Sequence, residues 1–370
     1  MKQPLCKTID ALTQQTIPLH YYDKNKAWQE RLHYQLDTLM AKRAQGSGFN
    51  GSILVAVRDT IIYENYFGSA YRDSVDLSPS TASHIASVTK TFTSAAVLLL
   101  QEQGKLNIQD DIKKYIPQFP YDNIRLIDLL SHRSGLPNYS YFLDKVWADE
   151  PDLLSNENMV KKMCELRPDT YNTPNAHFSY CNTNYALLAF VIEKVSKKTY
   201  SDYMRCAIFE PLGMRNTFVY DPTNQPRLPQ NASRSYYPNW QVHSLKFDDG
   251  VLGDKNIYST VQDLYKWERA LSRGKVLSVN SLEAAYQPYS NERASTKNYG
   301  LGWRLLMLPD QKVVFHNGWW HGNNSSLYRF LKDDITIICL SNKYNRTTYQ
   351  AQPIYNLVKG SSSEMGFEEE

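Results

Sequence analysis

The sequence predicts an α+β fold: one antiparallel sheet assembled from both chain ends, flanked by helices, with a mainly helical insertion between them. Three observations carry this. β-rich runs stand near the start, at 52–57 and 60–67. Further strands stand near the end, in KVVFH (312–316), SSLYRFL (325–331) and DITIICLSN (334–342). Between them, from 105 to about 250, the text consists of helical pieces broken by Pro, Gly, Asn and Asp.

The elements follow in order. Residues 1–45 read as polar and helical, with AWQERLHYQLDTLMAKRA placing apolar residues at helical spacing. The runs 52–57 and 60–67 flank Arg58-Asp59, a hairpin turn. Ser87 to Gln103 is a strong helix with an Ala, Val and Leu interior, and Gly104 just past its end is a C-cap. A last helical stretch, TTYQAQPIYNLV, follows the C-terminal strands. The expected division is an α/β domain from 1–104 and 251–360, a mainly helical domain at 105–250, and an acidic, solvated tail at 361–370. A substrate cleft is expected between sheet and insertion, because sites favour such boundaries.

Composition narrows the function classes. Hydrophobic residues make up 42% and charged residues 21%, an ordinary globular balance. The 41 basic and 38 acidic residues are interspersed, so no basic footprint for nucleic acid is present. The longest apolar runs, such as AAVLLL at 95–100, are far too short for a membrane span. Cys6, Cys164, Cys181, Cys206 and Cys339 form no C-x-x-C, and buried free thiols are expected. No histidine spacing suits a metal, so neither metal nor cofactor is expected.

Three motifs carry chemistry. In Ser87-Val88-Thr89-Lys90, the i, i+3 spacing on a helix brings Lys90 to the same face as Ser87. A serine hydroxyl needs such a base or cation nearby to act as a nucleophile. The helix start also favours developing negative charge, and the Ser87 amide can serve as an oxyanion donor. The bare pattern is cheap, since Ser272-Arg273-Gly274-Lys275 also fits; that copy carries a glycine and leads no apolar helix, so it reads as a loop.

The second motif is Tyr180-Cys181-Asn182, before the apolar run YALLAFVIEKV. A tyrosine acts as a base where nearby cations favour its anion, and an amide can orient a substrate carbonyl. Tyr121–Asn123, Tyr237–Asn239 and Tyr289–Asn291 share the spacing, but only Tyr180 leads an apolar helix. The third motif, His316-Asn317-Gly318, ends the strand KVVFH, where a glycine lets a substrate backbone approach. The amide of Trp319 is the candidate second oxyanion donor, and Trp319-Trp320 reads as a bulky wall beside the site, packed in place or, as the alternative, stacking on substrate.

The ordered set S-x-x-K, Y-x-N, H-x-G resembles class C β-lactamases, D-alanyl-D-alanine carboxypeptidases and related esterases. The resemblance runs from about 48 to 345 and includes DDIKKYIPQFP, IRLIDLLSHRSGLPNY, FEPLGMRNT, GDKNIYSTVQDLYKW, YGLGW and HNGWWHG. It implies a β-lactamase/transpeptidase-like fold and an acyl-enzyme on Ser87. Lys90 and Tyr180 would share proton transfer. Asn182, His316, Asn317, Gly318 and Trp319 would bind substrate, and the amides of Ser87 and Trp319 the oxyanion. Asn317 stands where a hydroxyl residue is usual in K-T-G, and His316 gives less positive charge than lysine near neutral pH. Both departures favour a small ester or D-alanyl peptide over an efficiently hydrolysed β-lactam. The alternative is a non-catalytic penicillin-binding sensor, acylated without turnover. The resemblance also implies a monomer acting on a small-molecule or peptide substrate outside the cytoplasm. MKQPLCKTID has no signal-peptide core, so the export signal is expected to be missing from this chain; a cytoplasmic location is the alternative. No G-x-S-x-G elbow exists to make His132 part of a triad, so His132 is expected to brace a turn.

Overall fold

The computed structural model describes residues 17–148 and 150–360. Among these, the central sheet has eight strands: β1 (His20–Tyr21), β2 (Gly51–Val57), β3 (Thr60–Phe67), β4 (Lys297–Tyr299), β5 (Arg304–Met307), β6 (Lys312–Trp320), β7 (Asn323–Phe330) and β8 (Ile335–Ser341). Their spatial order is β1-β3-β2-β8-β7-β6-β5-β4. N- and C-terminal strands meet at the β2–β8 pair, registered from Val57↔Ile335 to Gly51↔Ser341. Neighbours are antiparallel except at one edge, where β1 runs parallel to β3.

Sequence alternation decides which layer each residue joins. Along β2, Ile53 and Val55 face one side and Leu54 and Ala56 the other. Both sides are covered, so the run is apolar throughout. Helices α1 (Ala27–Gly46) and α5 (Ala351–Lys359) cover the first face with Leu32, Leu36, Met40, Ile354 and Tyr355. The second face is covered by α2 (Thr89–Glu102) and α4 (Val261–Ser272), and α2 packs in turn on α3 (Asn182–Ser196).

Helix α2 lies inside the protein, buried without interruption from Thr89 to Leu100. Its hydroxyls are therefore all paired locally. Thr91 donates to the Val88 carbonyl at 2.8 Å, Thr93 to Gly253 at 2.6 Å and Ser94 to Leu301 at 2.5 Å. Phe92 stacks on Trp267 of α4, with ring centroids 4.1 Å apart. Gly302 sits at φ +95°, where a Cβ would lie 2.5 Å from Ser94 Cβ; this close approach lets the strand region lie on α2.

Five expectations are corrected. The N-terminal helix reaches back only to Ala27, since residues 17–26 hold the short strand β1 and a turn. The helix at the nucleophile begins at Thr89, because Ala86–Val88 form a 3₁₀ turn around the left-handed Ala86 (φ +46°). The strand at 312–316 continues to Trp320, so His316-Asn317-Gly318 lies within a paired strand and not at its end. Strands β4 and β5 were not foreseen; at three and four residues they are too short for a clear alternation. Cys181 and Cys339 are buried free thiols as expected and Cys164 is free but only half-buried, whereas Cys206 is disulfide-bonded. Cys6, the first part of the N-terminal helical reading and the acidic tail lie outside the described residues. No helix among the described residues is long and apolar enough to cross a membrane.

Candidate active site

Ser87 sits in the 3₁₀ turn that leads into α2 and is half-buried. One turn on, Lys90 is completely buried. Its Nζ donates to Ser87 Oγ at 3.0 Å and to the Asp254 carbonyl at 2.8 Å. These two bonds, with the rings of Tyr180 and Tyr185 at 5.1 and 5.7 Å, fix the ammonium where the i, i+3 spacing delivers it.

Tyr180 lies in extended chain two residues before α3, whose N-cap is Cys181; Asn182 is the first helical residue. His132 holds this turn. Its Nδ1 accepts the Cys181 N–H at 3.1 Å, and its ring centroid lies 4.3 Å from that of Tyr180. The Tyr180 ring also lies between two cations, with the Arg304 guanidinium carbon 5.3 Å from its centroid. The hydroxyl of Tyr180 and Oδ1 of Asn182 and of Asn317 are buried atoms without a hydrogen-bond partner among the described residues.

His316 is fully buried. Its Nδ1 lies 2.7 Å from the carbonyl of Asn317, and its Nε2 lies 3.2 Å from the Tyr299 hydroxyl. Burial foremost, then the charges of Arg304 and Lys90, hold its pKa well below the usual histidine value. His316 is thus neutral near pH 7 and brings no cation to the cleft; Arg304 of β5 does. Burial, Lys90, His316 and Arg304 depress His132 in the same way.

Gly318 brings β6 against the nucleophile turn. A Cβ there would collide with Ser325 Oγ and lie 2.6 Å from the Ile85 carbonyl and 2.8 Å from the Ser87 amide nitrogen. Trp319 follows Gly318 along β6. Its side chain is 64% exposed, so it is not the packed wall expected; Trp320 is half-buried, donates to Asp249 at 2.6 Å and covers Lys255. Beside the site, a cavity of about 580 Å³ is lined by Phe178, Tyr299, Arg304, Asn317 and Tyr349.

The structure therefore brings together Ser87, Lys90, Tyr180, His316 and Gly318 from three distant segments. Ser272 and Lys275 lie elsewhere, at the C-terminal end of α4. Arg304, Tyr299, Asp254 and His132 complete the surroundings. Of these, Tyr299 and Asp254 lie in the blocks YGLGW and GDKNIYSTVQDLYKW without having been assigned to the site; Arg304 follows directly on YGLGW but is separated from Tyr180 by more than a hundred residues. No group of His, Cys, Asp and Glu among the described residues is arranged to hold a metal ion.

The comparisons with known proteins bear on the family and the fold. The β-lactamase family model matches residues 36–359. A penicillin-binding protein of Bacillus subtilis (strain 168) is 32% identical over 331 residues, 85% of this chain and 73% of its own length. Further curated relatives are spanned over only 62% of their length. An octameric penicillin-binding protein homologue from Pyrococcus abyssi has the same fold, with TM-score 0.76, 24% identity, and coverage of 89% of this chain and 77% of that one. D-amino acid amidase from Ochrobactrum anthropi SV3 superposes with TM-score 0.71 at 22% identity, over 91% of this chain and all of the amidase. The chain belongs to the β-lactamase family, whose members are serine hydrolases working through an acyl-enzyme.

Proposed function

We propose that this chain hydrolyses small D-alanyl peptides or esters through an acyl-enzyme on Ser87. The observation that carries the reading is the 3.0 Å contact between Lys90 Nζ and Ser87 Oγ, inside a site otherwise closed to water on the helix side. As Ser87 Oγ attacks the substrate carbonyl, Lys90 and Tyr180 share the transfer of the serine proton. The amides of Ser87 and Trp319 stabilise the oxyanion. The proton passes to the leaving amine or alkoxide as the scissile bond breaks. Water then attacks the acyl carbonyl, gives its proton to the same base, and releases the acid with Ser87 restored. Asn182 and Asn317, with acceptor oxygens unengaged in the protein, are suited to substrate N–H groups. The neutral His316 leaves Arg304 as the cation for a substrate carboxylate.

The discriminating experiment is a panel of nitrocefin, p-nitrophenyl butyrate and a D-Ala-D-Ala peptide, with Ser87→Ala as the blank. The reading expects turnover of the ester and the peptide and slow reaction with nitrocefin. A Ser87 adduct that lasts for hours without turnover supports the sensor instead, and full activity in Ser87→Ala removes Ser87 as nucleophile.

A further inference from the structure

His84 lies three residues before the nucleophile, buried in a two-residue strand (Ser83–His84) that pairs with Ile257–Ser259. Its Nδ1 accepts the Ala86 N–H at 3.0 Å. Its Nε2 stands 3.3 Å from Asn256 Oδ1. Together the contacts assign the tautomer: Nδ1 accepts, so Nε2 carries the proton and donates to Asn256. Ala86 is the strained point of the turn, at φ +46° with no glycine to relieve it. Its neighbour Ile85 is tied down by bonds to Ile257 (2.9 Å) and Ser325 Oγ (2.5 Å), and His84 ties Ala86 itself.

We propose that His84 is a positioning residue for the acylation step: as a neutral ring it holds the left-handed turn at Ala86 that aims the hydroxyl and amide of Ser87. The proposal rests on Ser87 being the nucleophile. His84 acts through Ala86, not on substrate, since it lines a separate cavity of about 230 Å³ with Asp249, Asn256, Trp320 and His321. The charged and titratable groups around that cavity are Asp249, His321, Lys255, Tyr258, Tyr220, Arg234 and His243. Burial foremost brings His84 down to a pKa of about 4, so the ring is free to accept down to that pH. Below it, the protonated ring has no lone pair for Ala86.

The substitutions separate holding from space-filling. Asn at 84 puts an acceptor oxygen near the place of Nδ1, Gln puts one only near Nε2, and Leu puts none. Glycine at 86 removes the need for a hold, because it adopts positive φ freely. With p-nitrophenyl butyrate and the full chain, His84→Leu and His84→Gln are expected to lower kcat by about 10- to 100-fold with KM within about threefold, the cost of a misaimed nucleophile. His84→Asn should recover most of the rate and lack the fall in activity expected of wild type as pH drops through about 4. Ala86→Gly in the His84→Leu background should restore at least about fivefold. Wild-type kcat in His84→Leu, a His84→Asn as slow as His84→Leu, or no gain from Ala86→Gly overturns the proposal. If circular dichroism shows His84→Leu unfolded, the contrast of His84→Asn with His84→Gln decides. Ser87→Ala separates the two levels: activity retained there removes the nucleophile and this inference with it. Activity lost there, with a normal rate in His84→Leu, removes the inference alone.

Discussion

The two walls of the cleft are held in different ways. On the nucleophile wall Lys90 has both Ser87 and Asp254 as partners, and the hydroxyls along α2 are paired within the protein. On the facing wall the Tyr180 hydroxyl and Oδ1 of Asn182 and Asn317 have no protein partner. The difference follows from packing. Helix α2 is enclosed between sheet and helices, where an unpaired polar group is costly. Asn317 lines a cavity, and Tyr180 lies beside Arg304 of the same lining, where substrate atoms supply what the protein does not. The first wall is set before substrate arrives; the second is completed by it.

The contrast can be broken in order of size. Lys90→Ala should lower kcat for p-nitrophenyl butyrate by about 10³-fold or more, since it removes a proton-transfer group and leaves its buried partners unpaired. Acylation at the wild-type rate would take Lys90 out of the mechanism. Tyr180→Phe should lower kcat by about 10²-fold while leaving the melting temperature nearly unchanged, because its hydroxyl has no bond in the protein to lose. A large drop in melting temperature would mean that this wall too is fixed beforehand. Arg304→Gln should raise KM about tenfold for a D-Ala-D-Ala peptide, with its free carboxylate, and leave the neutral ester within about threefold. Equal effects on both substrates would assign Arg304 to holding Tyr180 instead. Trp319→Ala should change stability by about 0.5 kcal/mol or less, given its exposure, as read by denaturant unfolding.

Buried histidines give the site a pH signature. His132 and His316 are depressed well below 6.5 in the folded protein, chiefly by burial. An unfolded chain binds protons at histidine near pH 6.5, before the folded chain does. Their contribution to stability is therefore complete above about pH 6.5 and is lost progressively below it. The melting temperature should fall between pH 7.5 and 5, and His316→Asn should flatten that slope. A melting temperature constant over this range would show that both rings titrate in the folded protein as they do in the unfolded chain.

The sheet core was legible because β2, β3, β7 and β8 are long runs rich in β-forming residues. The motif residues were legible because catalysis needs fixed spacings on one helix or strand. Arg304 was not, since a lone arginine on a four-residue strand has no pattern, and only the pairing of β5 with β6 brings it to Tyr180. The neutral state of His316 was also hidden, because it depends on complete burial beside Arg304 and Lys90. The 3₁₀ start of α2 follows from Ala86, whose positive φ an alanine does not announce.

The pairing of β2 with β8 sets a timetable for synthesis. The strand GSILVAV leaves the ribosome about 280 residues before its partner Ile335–Ser341. At roughly 5–20 residues per second, the apolar hairpin waits on the order of 15–60 s for the strand that will cover its open edge. During that interval it is a template for pairing with other nascent chains. A circular permutant that begins near residue 312 and joins the old ends through a linker would bring β6, β7 and β8 out ahead of β2 and shorten the separation of β8 from β2, and should refold faster and aggregate less at equal stability.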